Sequence, residues 1–251
     1  MSIYLRASTH HLLNRLIKCS FRSQRKSVSY LLTKLSNRKL IKVNGTASYD
    51  YLQGMITNDT RHLKNTLETS VNLNAIFAFV LNHLGRIMCD VFVYKGNDIE
   101  NNELFVEVDT ELYDGVFNYL RIYKVKRKVL IEKVDFTAWA LFPEHISSVN
   151  EFNQKYVDHE LDSETMIVKD PRLKEMGFRI LSKYSYENED KISGLLKSKG
   201  FQVKHSSLND YEKHRYQLGV GEGAKDHPTE ACFPLEANAD YLHGVSLHKG
   251  D

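Results

Sequence analysis

Acidic residues are absent from the first 49 positions of this 251-residue chain, although 32 Asp and Glu follow from Asp50 onward. Ten of the 34 Lys and Arg fall in that first stretch, so 24 basic residues face 32 acidic ones in the remainder. The formal net charge of +2 therefore hides a basic N-terminal segment joined to an acidic body. An acidic body is poorly suited to the phosphate backbone of nucleic acids, so we predict no nucleic-acid partner.

Cysteine is scarce and forms no paired motif. Cys19, Cys89 and Cys232 lie far apart, without a Cys-x-x-Cys pair, so no four-ligand metal site is predicted. The eleven His show no i, i+4 pair with a nearby acid, as a zinc hydrolase would have. A Gly-x-Ser-x-Gly elbow is also absent from the sequence. The residue types alone therefore predict no catalytic group and no metal held by this chain alone.

Long apolar runs are missing as well. A membrane-spanning helix needs about 20 consecutive apolar residues, and the most apolar stretch, 74–85, is broken by Asn82 and His83. No membrane span is predicted. The share of apolar residues, 42%, is that of an ordinary soluble protein with a sizeable core.

The N-terminal segment has the pattern of a mitochondrial import signal. It is rich in Ser, and Arg15, Lys18 and Arg22 separate its apolar residues. The apolar residues near helical spacing are Leu5, Leu12, Leu13, Leu16 and Ile17. A solvated basic arm that contacts nucleic acid is the alternative. We expect a presequence over residues 1–36 and a location in the mitochondrial matrix.

Helical and strand patterns alternate irregularly in the remainder, with hairpins and without a long βαβ series, which predicts an α+β fold. Leu104, Val106 and Val108 are predicted on one face of a strand, with Phe105 and Glu107 on the other. A boundary near Pro143 would divide the chain into two α+β parts, 37–142 and 143–251.

Two further motifs permit more than one interpretation. "GVGEG", residues 219–223, follows a helical pattern and is not followed by Lys-Ser/Thr, so it fails the phosphate-binding patterns. We predict a helix that Ser207 caps and Gly219 ends, followed by a flexible loop. "RIYKVKRKV", residues 121–129, alternates and is predicted as a solvated strand, with nucleic-acid binding or a basic rim around an anionic ligand as alternatives.

Six motifs in order resemble the folate-binding YgfZ family, which is related to the T-protein of the glycine cleavage system. They are "YLQGMITND", "GRIMCD", "YLRIYKVKRKV", "DPRLKEMGFR", "YEKHRYQLGVGEG" and "PLEANADYLHGVSLHKG". Within the family, the set is most similar to the mitochondrial iron–sulfur cluster assembly factors. The resemblance implies three domains around a central hole that holds tetrahydrofolate. About two of these domains are expected here, with the C-terminal β-barrel domain missing.

The function implied by the resemblance is a late step of iron–sulfur maturation. The protein would support [4Fe-4S] recipient enzymes together with A-type carrier proteins, because clusters need thiolates and this chain lacks a ligand set of its own. A tetrahydrofolate-dependent aminomethyl transferase is the alternative from the same family. An RNA-binding protein, suggested only by "KVKRKV" and the basic arm, is a third class.

Departures from the T-protein pattern favour a non-catalytic assembly factor. Cys89-Asp90 stand where the T-protein has adjacent acids. Gln217, two residues after Arg215, stands where the T-protein has the Glu that binds the pterin. The loss of a carboxylate there removes a charge-assisted partner for the pterin ring.

The resemblance also implies which residues form the site. The candidate folate-binding residues are Asn58, Asp59, Arg86, Asp90, Arg215 and Gln217. Asp90 alternatively satisfies buried backbone, and Arg215 alternatively forms a structural ion pair. The family signature Lys-Gly-Cys-Tyr-x-Gly-Gln-Glu begins at Lys249-Gly250, where Asp251 follows instead of the cysteine. We expect a truncated sequence, with a divergent short form as the alternative. The signature-loop residues are Glu236, Asn238, Lys249 and Gly250.

Overall fold

The computed structural model describes residues 28–64, 73–147, 159–162, 164–183 and 189–246. These residues form two β-sheets that pack face to face, with helices on the outer faces and the helix 208–217 packed against the interior between the sheets. The strands are β1 (Ser29–Lys34), β2 (Arg38–Asn44), β3 (Ala75–Leu81), β4 (Ile87–Lys95), β5 (Leu104–Asp109), β6 (Leu130–Val134), β7 (Thr137–Pro143), β8 (His159–Asp162), β9 (Thr165–Lys169), β10 (Phe178–Ser182) and β11 (Gln202–His205). The helices are α1 (Ser48–Gln53), α2 (Tyr113–Tyr123), α3 (Glu189–Ser198), α4 (Leu208–Gln217) and α5 (Gly223–Asp226). The predicted α+β class is confirmed.

The five-stranded sheet has the antiparallel order β3-β4-β5-β2-β6. The outward residues of β5, Leu104, Val106 and Val108, pack under α1 and α2 in one apolar cluster. Phe105 and Glu107 point the other way, as predicted from the alternation, and both are buried between the sheets. The period-two alternation therefore predicted correctly which residues share a face of this strand. The second sheet explains why the residues on both faces are buried.

The six-stranded sheet has the order β11-β1-β7-β10-β9-β8, in which only β1 and β11 pair in parallel among the described strands. Its outer face packs against α3. Ser29–Lys34, inside the predicted presequence 1–36, forms β1 and pairs with β7. The predicted division at residue 143 lies at the end of β7, whose two neighbours in the sheet come from opposite sides of that division.

Helix α4 matches its prediction in type and ends. Ser207 Oγ accepts from the backbone N–H of Asp210, and the Asp210 carboxylate accepts from the N–H of Ser207, which completes a capping box. Gly219 follows with φ +68°, the left-handed conformation that ends helices.

Two local predictions were wrong. Residues 121–123 belong to α2, in agreement with the helix that the sequence pattern of 110–125 also predicts. Lys124–Lys128 form a turn before β6, so no strand covers 121–129. The helix forms because Val116 and Leu120, at i and i+4, are buried together with Tyr113. This helical pattern extends over more residues than the short alternation does. The helical spacing of Tyr51, Leu52 and Met55 predicts a helix that ends at Asn58-Asp59, but the helix ends at Gln53. The stretch 149–157, whose sequence also predicts a helix, lies outside the described residues. Within the described ranges, no helix combines the length and apolarity needed to cross a membrane.

Candidate functional site

Charged side chains from both sheets meet in the interior and form a buried ionic cluster. Arg38 on β2, Asp90 on β4 and Glu107 on β5 lie on the inner face of the five-stranded sheet. They share this face with apolar residues two positions away, because side chains on a strand alternate. From the other side come Asp170, Arg172, Arg179, Tyr211 and Glu222. All of these side chains are buried.

The contribution of the five-stranded sheet is centred on Arg38. Its Nε donates to Glu107 Oε1 over 2.8 Å, and its Nη1 donates to Asp90 Oδ2 over 3.1 Å. The Tyr94 hydroxyl donates to the other oxygen of Glu107 over 2.6 Å. One guanidinium is therefore shared between two buried carboxylates, each of which would be costly to bury without a partner.

Arg179 on β10 connects the two sheets. Its Nη2 lies 3.0 Å from Glu107 Oε1 and 3.0 Å from Glu222 Oε2. The Glu222 oxygen also accepts from the Tyr211 hydroxyl over 2.9 Å and lies 2.8 Å from Arg172 Nη1. Arg179 thus shares its charge between a strand of one sheet and a loop that follows α4.

Asp170 and Arg172, in the turn after β9, complete the cluster. Arg172 Nε and Nη2 donate to the two Asp170 oxygens over 3.0 and 2.7 Å, in a bidentate pair. Phe92 lies under two guanidinium groups, with its ring centroid 3.8 Å from Arg179 Cζ and 4.7 Å from Arg172 Cζ. The face of the aromatic ring attracts these two guanidinium groups, and the attraction is stronger because the groups are buried and desolvated.

Electrostatics keep the Glu222 carboxyl of the cluster ionised. Burial alone would raise the pKa of the Glu222 carboxyl, but Arg179 and Arg172 hold that pKa well below its ordinary value. Burial raises the pKa of Tyr211 to about 12, so its hydroxyl stays protonated and donates to Glu222. Three arginines therefore face four carboxylates, and tyrosine hydroxyls and a backbone N–H add further hydrogen bonds. The second oxygen of Glu222, Oε1, is buried without a hydrogen-bond partner among the described residues.

Acid is expected to destabilise the fold partly through Glu222. A carboxyl whose pKa is lower in the folded state contributes stability above its unfolded value, 4.5, and this contribution disappears as the pH falls further. We expect the free energy of unfolding of the wild type to fall more steeply below pH 4.5 than that of a Glu222→Gln variant, measured by urea denaturation across pH. Equal slopes for the two proteins would contradict this role of Glu222.

The segment that contains Glu222 is fixed to the five-stranded sheet. The backbone N–H of Gly223 donates to Asp90 Oδ1 over 2.8 Å, and that of Ala224 donates to Asp109 Oδ2 over 3.1 Å. Gly223 has φ +81°, and a Cβ there would lie 2.4 Å from Asp109 Oδ2. The predicted flexible loop after Gly219 is therefore wrong, because buried carboxylates hold its backbone.

Three of the predicted folate-binding residues lie near this segment in different environments. Both oxygens of Asp90 are engaged, by Arg38 and by Gly223, as in the alternative that it satisfies buried backbone. Arg215 Nη1 donates to the Val220 carbonyl and to Asp226 Oδ2, both over 2.8 Å, as in the alternative that it forms a structural ion pair. Gln217 is exposed at the end of α4.

Asn58 and Asp59 lie at the opposite end of the C-terminal segment. The Asn58 amide donates to the carbonyls of Phe77 and His243 over 2.8 and 2.7 Å, so it connects β3 to the loop that approaches the signature. His243 is held in the left-handed conformation, φ +53°. Asp59 caps the following 3₁₀ turn and pairs with Arg61.

An Asn58→Asp substitution is expected to release this loop. It would place a carboxylate against two carbonyl acceptors, so the protein should lose about 2–3 kcal/mol of stability. Asn118→Asp on the exposed face of α2 is the matched control, with an expected change within about 0.5 kcal/mol. Urea denaturation measures both, and equal losses in the two variants would contradict the bridging role.

The remaining predicted residues shape the approach to the signature. The Arg86 guanidinium lies 4.6 Å from the Phe233 ring centroid and donates to the Ala231 carbonyl over 3.2 Å. Glu236 accepts from the backbone N–H of Phe233, and Asn238 adopts φ +56° at the end of the same turn. Lys249 and Gly250 lie outside the described residues.

The candidate pterin-binding residues lie in separate environments in the described part of the chain. Asp90 and Arg215 already have charged partners in the interior, and the Gln217 side chain faces solvent. Clefts of about 290 and 210 Å³ lie elsewhere, beside Tyr113 and beside Phe136. The assignment of the six residues to folate stays a prediction, and the function proposed below does not require folate.

The thiols and metal ligands of the described part give a similar picture. Cys89 is buried, and burial raises the pKa of its thiol far above the ordinary value, so it stays protonated. No group of three or more His, Cys, Asp or Glu within the described ranges could hold a metal ion.

The residues that sequence reasoning missed are the cross-sheet partners Arg38, Glu107, Arg172, Arg179 and Glu222. Asp170, Arg172 and Arg179 all lie in "DPRLKEMGFR", a motif that carried the resemblance without an assigned role. A usable signal was Glu107, a carboxylate between Val106 and Val108 in a strand whose other residues before Asp109 are apolar.

Comparisons with known proteins agree with this architecture. No family model matches the chain. The mitochondrial iron-sulfur cluster assembly factor IBA57 of Mus musculus is 29% identical over 227 residues, 89% of this chain and 60% of the relative. The human factor is 28% identical over 221 residues, 86% of this chain and 58% of the relative. A Dictyostelium discoideum homologue is 26% identical over 86% of this chain and 55% of its own length.

Among solved structures, the glycine cleavage system aminomethyltransferase T of Bartonella henselae has the same fold. The TM-score is 0.64 at 14% identity, over 87% of this chain and 59% of that one. The chain spans a little under two thirds of the first relatives it matches. The chain is therefore similar in sequence to the mitochondrial IBA57 assembly factors and similar in fold to aminomethyltransferase T, in agreement with the ordered motifs.

Proposed function

We propose that the protein is a mitochondrial iron–sulfur cluster assembly factor that supports the maturation of [4Fe-4S] proteins. The observation that carries the proposal is the similarity to mitochondrial factors of that name over 86–89% of the chain. The basic, acid-free N-terminal segment supports a mitochondrial location, which we propose to be the matrix.

The geometry supports a scaffold that presents a loop to partner proteins. The segment 219–246 is held at one end by Asp90 and Asp109 and at the other by Asn58. Gly244 packs against Phe77 and Phe79, where an added Cβ would lie 3.1 Å from each ring. The end of this segment would therefore have a fixed position, from which the chain continues toward Lys249. A cluster-transfer loop needs such preorganisation.

The proposed partners are A-type carrier proteins and [4Fe-4S] recipient enzymes. Cys89 is protonated and buried, and no metal-ligand group occurs within the described ranges. These residues favour a role beside a carrier that supplies the thiolates.

Depletion of the protein in its own cells tests the proposal. The activity of a [4Fe-4S] enzyme such as aconitase should fall, while [2Fe-2S] proteins keep their activity. Re-expression of the complete protein should restore aconitase. An equal loss of both cluster classes, or no loss of either, would overturn the proposed function.

A folate-dependent aminomethyl transferase is the second candidate, favoured by the shared fold with aminomethyltransferase T. Titration of tetrahydrofolate into the purified protein, followed by calorimetry, separates the two. Binding in the micromolar range, together with aminomethyl transfer, would favour the transferase. Absence of heat at about millimolar ligand, a binding energy below roughly 4 kcal/mol, would remove it.

A further inference from the structure

Apolar side chains protrude into water at the turn between α2 and β6. Val125 is 78% exposed and Ile122 is 72% exposed, the two highest values among the large apolar side chains of the described part. Tyr123 and Leu130 are 55% and 51% exposed. We call residues 121–130 the α2–β6 turn. Single exposed apolar residues are ordinary, but four within nine positions mark an interaction surface.

The same turn concentrates positive charge. No Asp or Glu occurs between Asp114 and Glu132. The basic residues of the turn are Arg121, Lys124, Lys126, Arg127 and Lys128. All of them except the partly buried Lys124 are exposed. The patch therefore contrasts with the acidic body of the chain from Asp50 onward.

The fold fixes the turn in this conformation. The Tyr51 hydroxyl donates to the Leu120 carbonyl, and Arg127 Nη1 donates to the Asp50 carbonyl over 3.1 Å. Val129 is buried beneath the turn. Val125 has φ +49°, which is a strained conformation for a β-branched residue. The apolar side chains are thus held outward at a cost in backbone strain, and such strain often accompanies function.

We propose that the α2–β6 turn docks the protein on an anionic phospholipid surface. Apolar side chains on a protruding turn can enter the acyl boundary of a bilayer, while surrounding Lys and Arg contact anionic headgroups. Tyr123 packs against Tyr119 with the ring centroids 4.5 Å apart and the ring planes tilted by 43°, and tyrosines favour membrane interfaces. An RNA-binding surface would use the cations and the tyrosines but gains nothing from exposed Ile and Val.

The first test reports the position of the turn itself, because residues before Val28 are also basic and could bind lipid. Trp139, the only Trp, is 1% exposed, so an introduced Trp on the surface dominates the response to lipid. In the full chain, an Ile122→Trp variant is mixed with vesicles of phosphatidylcholine and about one third phosphatidylserine that carry brominated acyl chains. We expect its fluorescence to be quenched and shifted to shorter wavelength. A Lys197→Trp variant on α3, which covers the other sheet, should not respond.

The second test distinguishes an effect of the α2–β6 turn on vesicle binding from an effect of the net charge of the protein. Each cation near an anionic surface raises partition roughly fivefold, so Lys126→Glu with Lys128→Glu should weaken vesicle binding at least about 25-fold. Lys197→Glu with Lys199→Glu makes the same charge change on the far side and should weaken it less than about threefold. Ile122→Gln with Val125→Asn should also reduce binding, and Asn tolerates the left-handed conformation at position 125.

Three outcomes would overturn the proposal. They are an unquenched Ile122→Trp variant on vesicles that bind the chain, equal losses from the two lysine pairs, and insensitivity to the apolar pair. The proposal is also rejected if single-stranded RNA or polyglutamate binds at these lysines and anionic vesicles do not. That result would identify a site for polyanions.

Discussion

Replacement of Arg179 by Met is expected to lower the free energy of unfolding by about 3–5 kcal/mol, the cost of removing one partner from a buried ion pair. Arg179 lies 3.0 Å from carboxylate oxygens of Glu107 and of Glu222, and all three side chains are buried. Met retains the apolar stem and removes only the charge and its hydrogen bonds. The two carboxylates would then share the remaining arginines, Arg38 and Arg172.

Urea denaturation of the full chain measures this loss, with Arg121→Met at the exposed end of α2 as control, expected within about 0.5 kcal/mol. If Arg179→Met fails to fold, Arg179→Lys keeps the charge, loses the forked geometry, and should show a smaller loss. A loss below about 1 kcal/mol for Arg179→Met would show that the cluster does not stabilise the two sheets.

Substitution of Gly223 by Ala is expected to cost more than substitution of Gly219 by Ala, although both residues have positive φ, +81° and +68°. A Cβ at Gly219 meets nothing within 4 Å, so the loss of stability comes only from placing Ala in the left-handed conformation, which costs about 1–2 kcal/mol. A Cβ at Gly223 would lie 2.4 Å from Asp109 Oδ2 and would displace that carboxylate from the N–H of Ala224. A further loss of roughly 1–3 kcal/mol is expected for the unsatisfied groups.

The two glycine variants form a matched pair, since the conformational penalty is common to both. The difference in their unfolding free energies measures the clash at Asp109. Amide hydrogen exchange at Gly223 and Ala224 should accelerate in Gly223→Ala and remain slow in Gly219→Ala. Identical stabilities and exchange rates in the two variants would contradict the fixed position of this segment.

Local patterns in the sequence predicted the elements that local forces decide. The alternation in β5 assigned Leu104, Val106 and Val108 to one face because a strand has a period of two whatever lies beyond it. The capping residue of α4, Ser207, was equally readable from its neighbours. At 121–129 the short alternation misled, because burial of Leu120 extends the helix through a region that also fits a strand.

The ionic cluster was beyond such reasoning, because its pairs are distant in sequence. Arg38 and Glu107 are 69 residues apart, and Arg179 and Glu222 are 43 apart. Each residue alone is an ordinary charged side chain that usually faces water. Only the packing of one sheet on the other reveals that these charges are interior, which is also why the loop with Glu222 was predicted to be flexible.

The distribution of these charges along the chain has a consequence for folding. Arg38, Asp90 and Glu107 precede residue 143, and Asp170, Arg172, Arg179 and Glu222 follow it. If the chain were divided at residue 143, the first fragment would expose one arginine and two acids without their partners. The second fragment would expose two arginines and two acids without theirs. Neither half would then have a compact state of low energy by itself. The two sheets should therefore form and melt together, as a single cooperative unit.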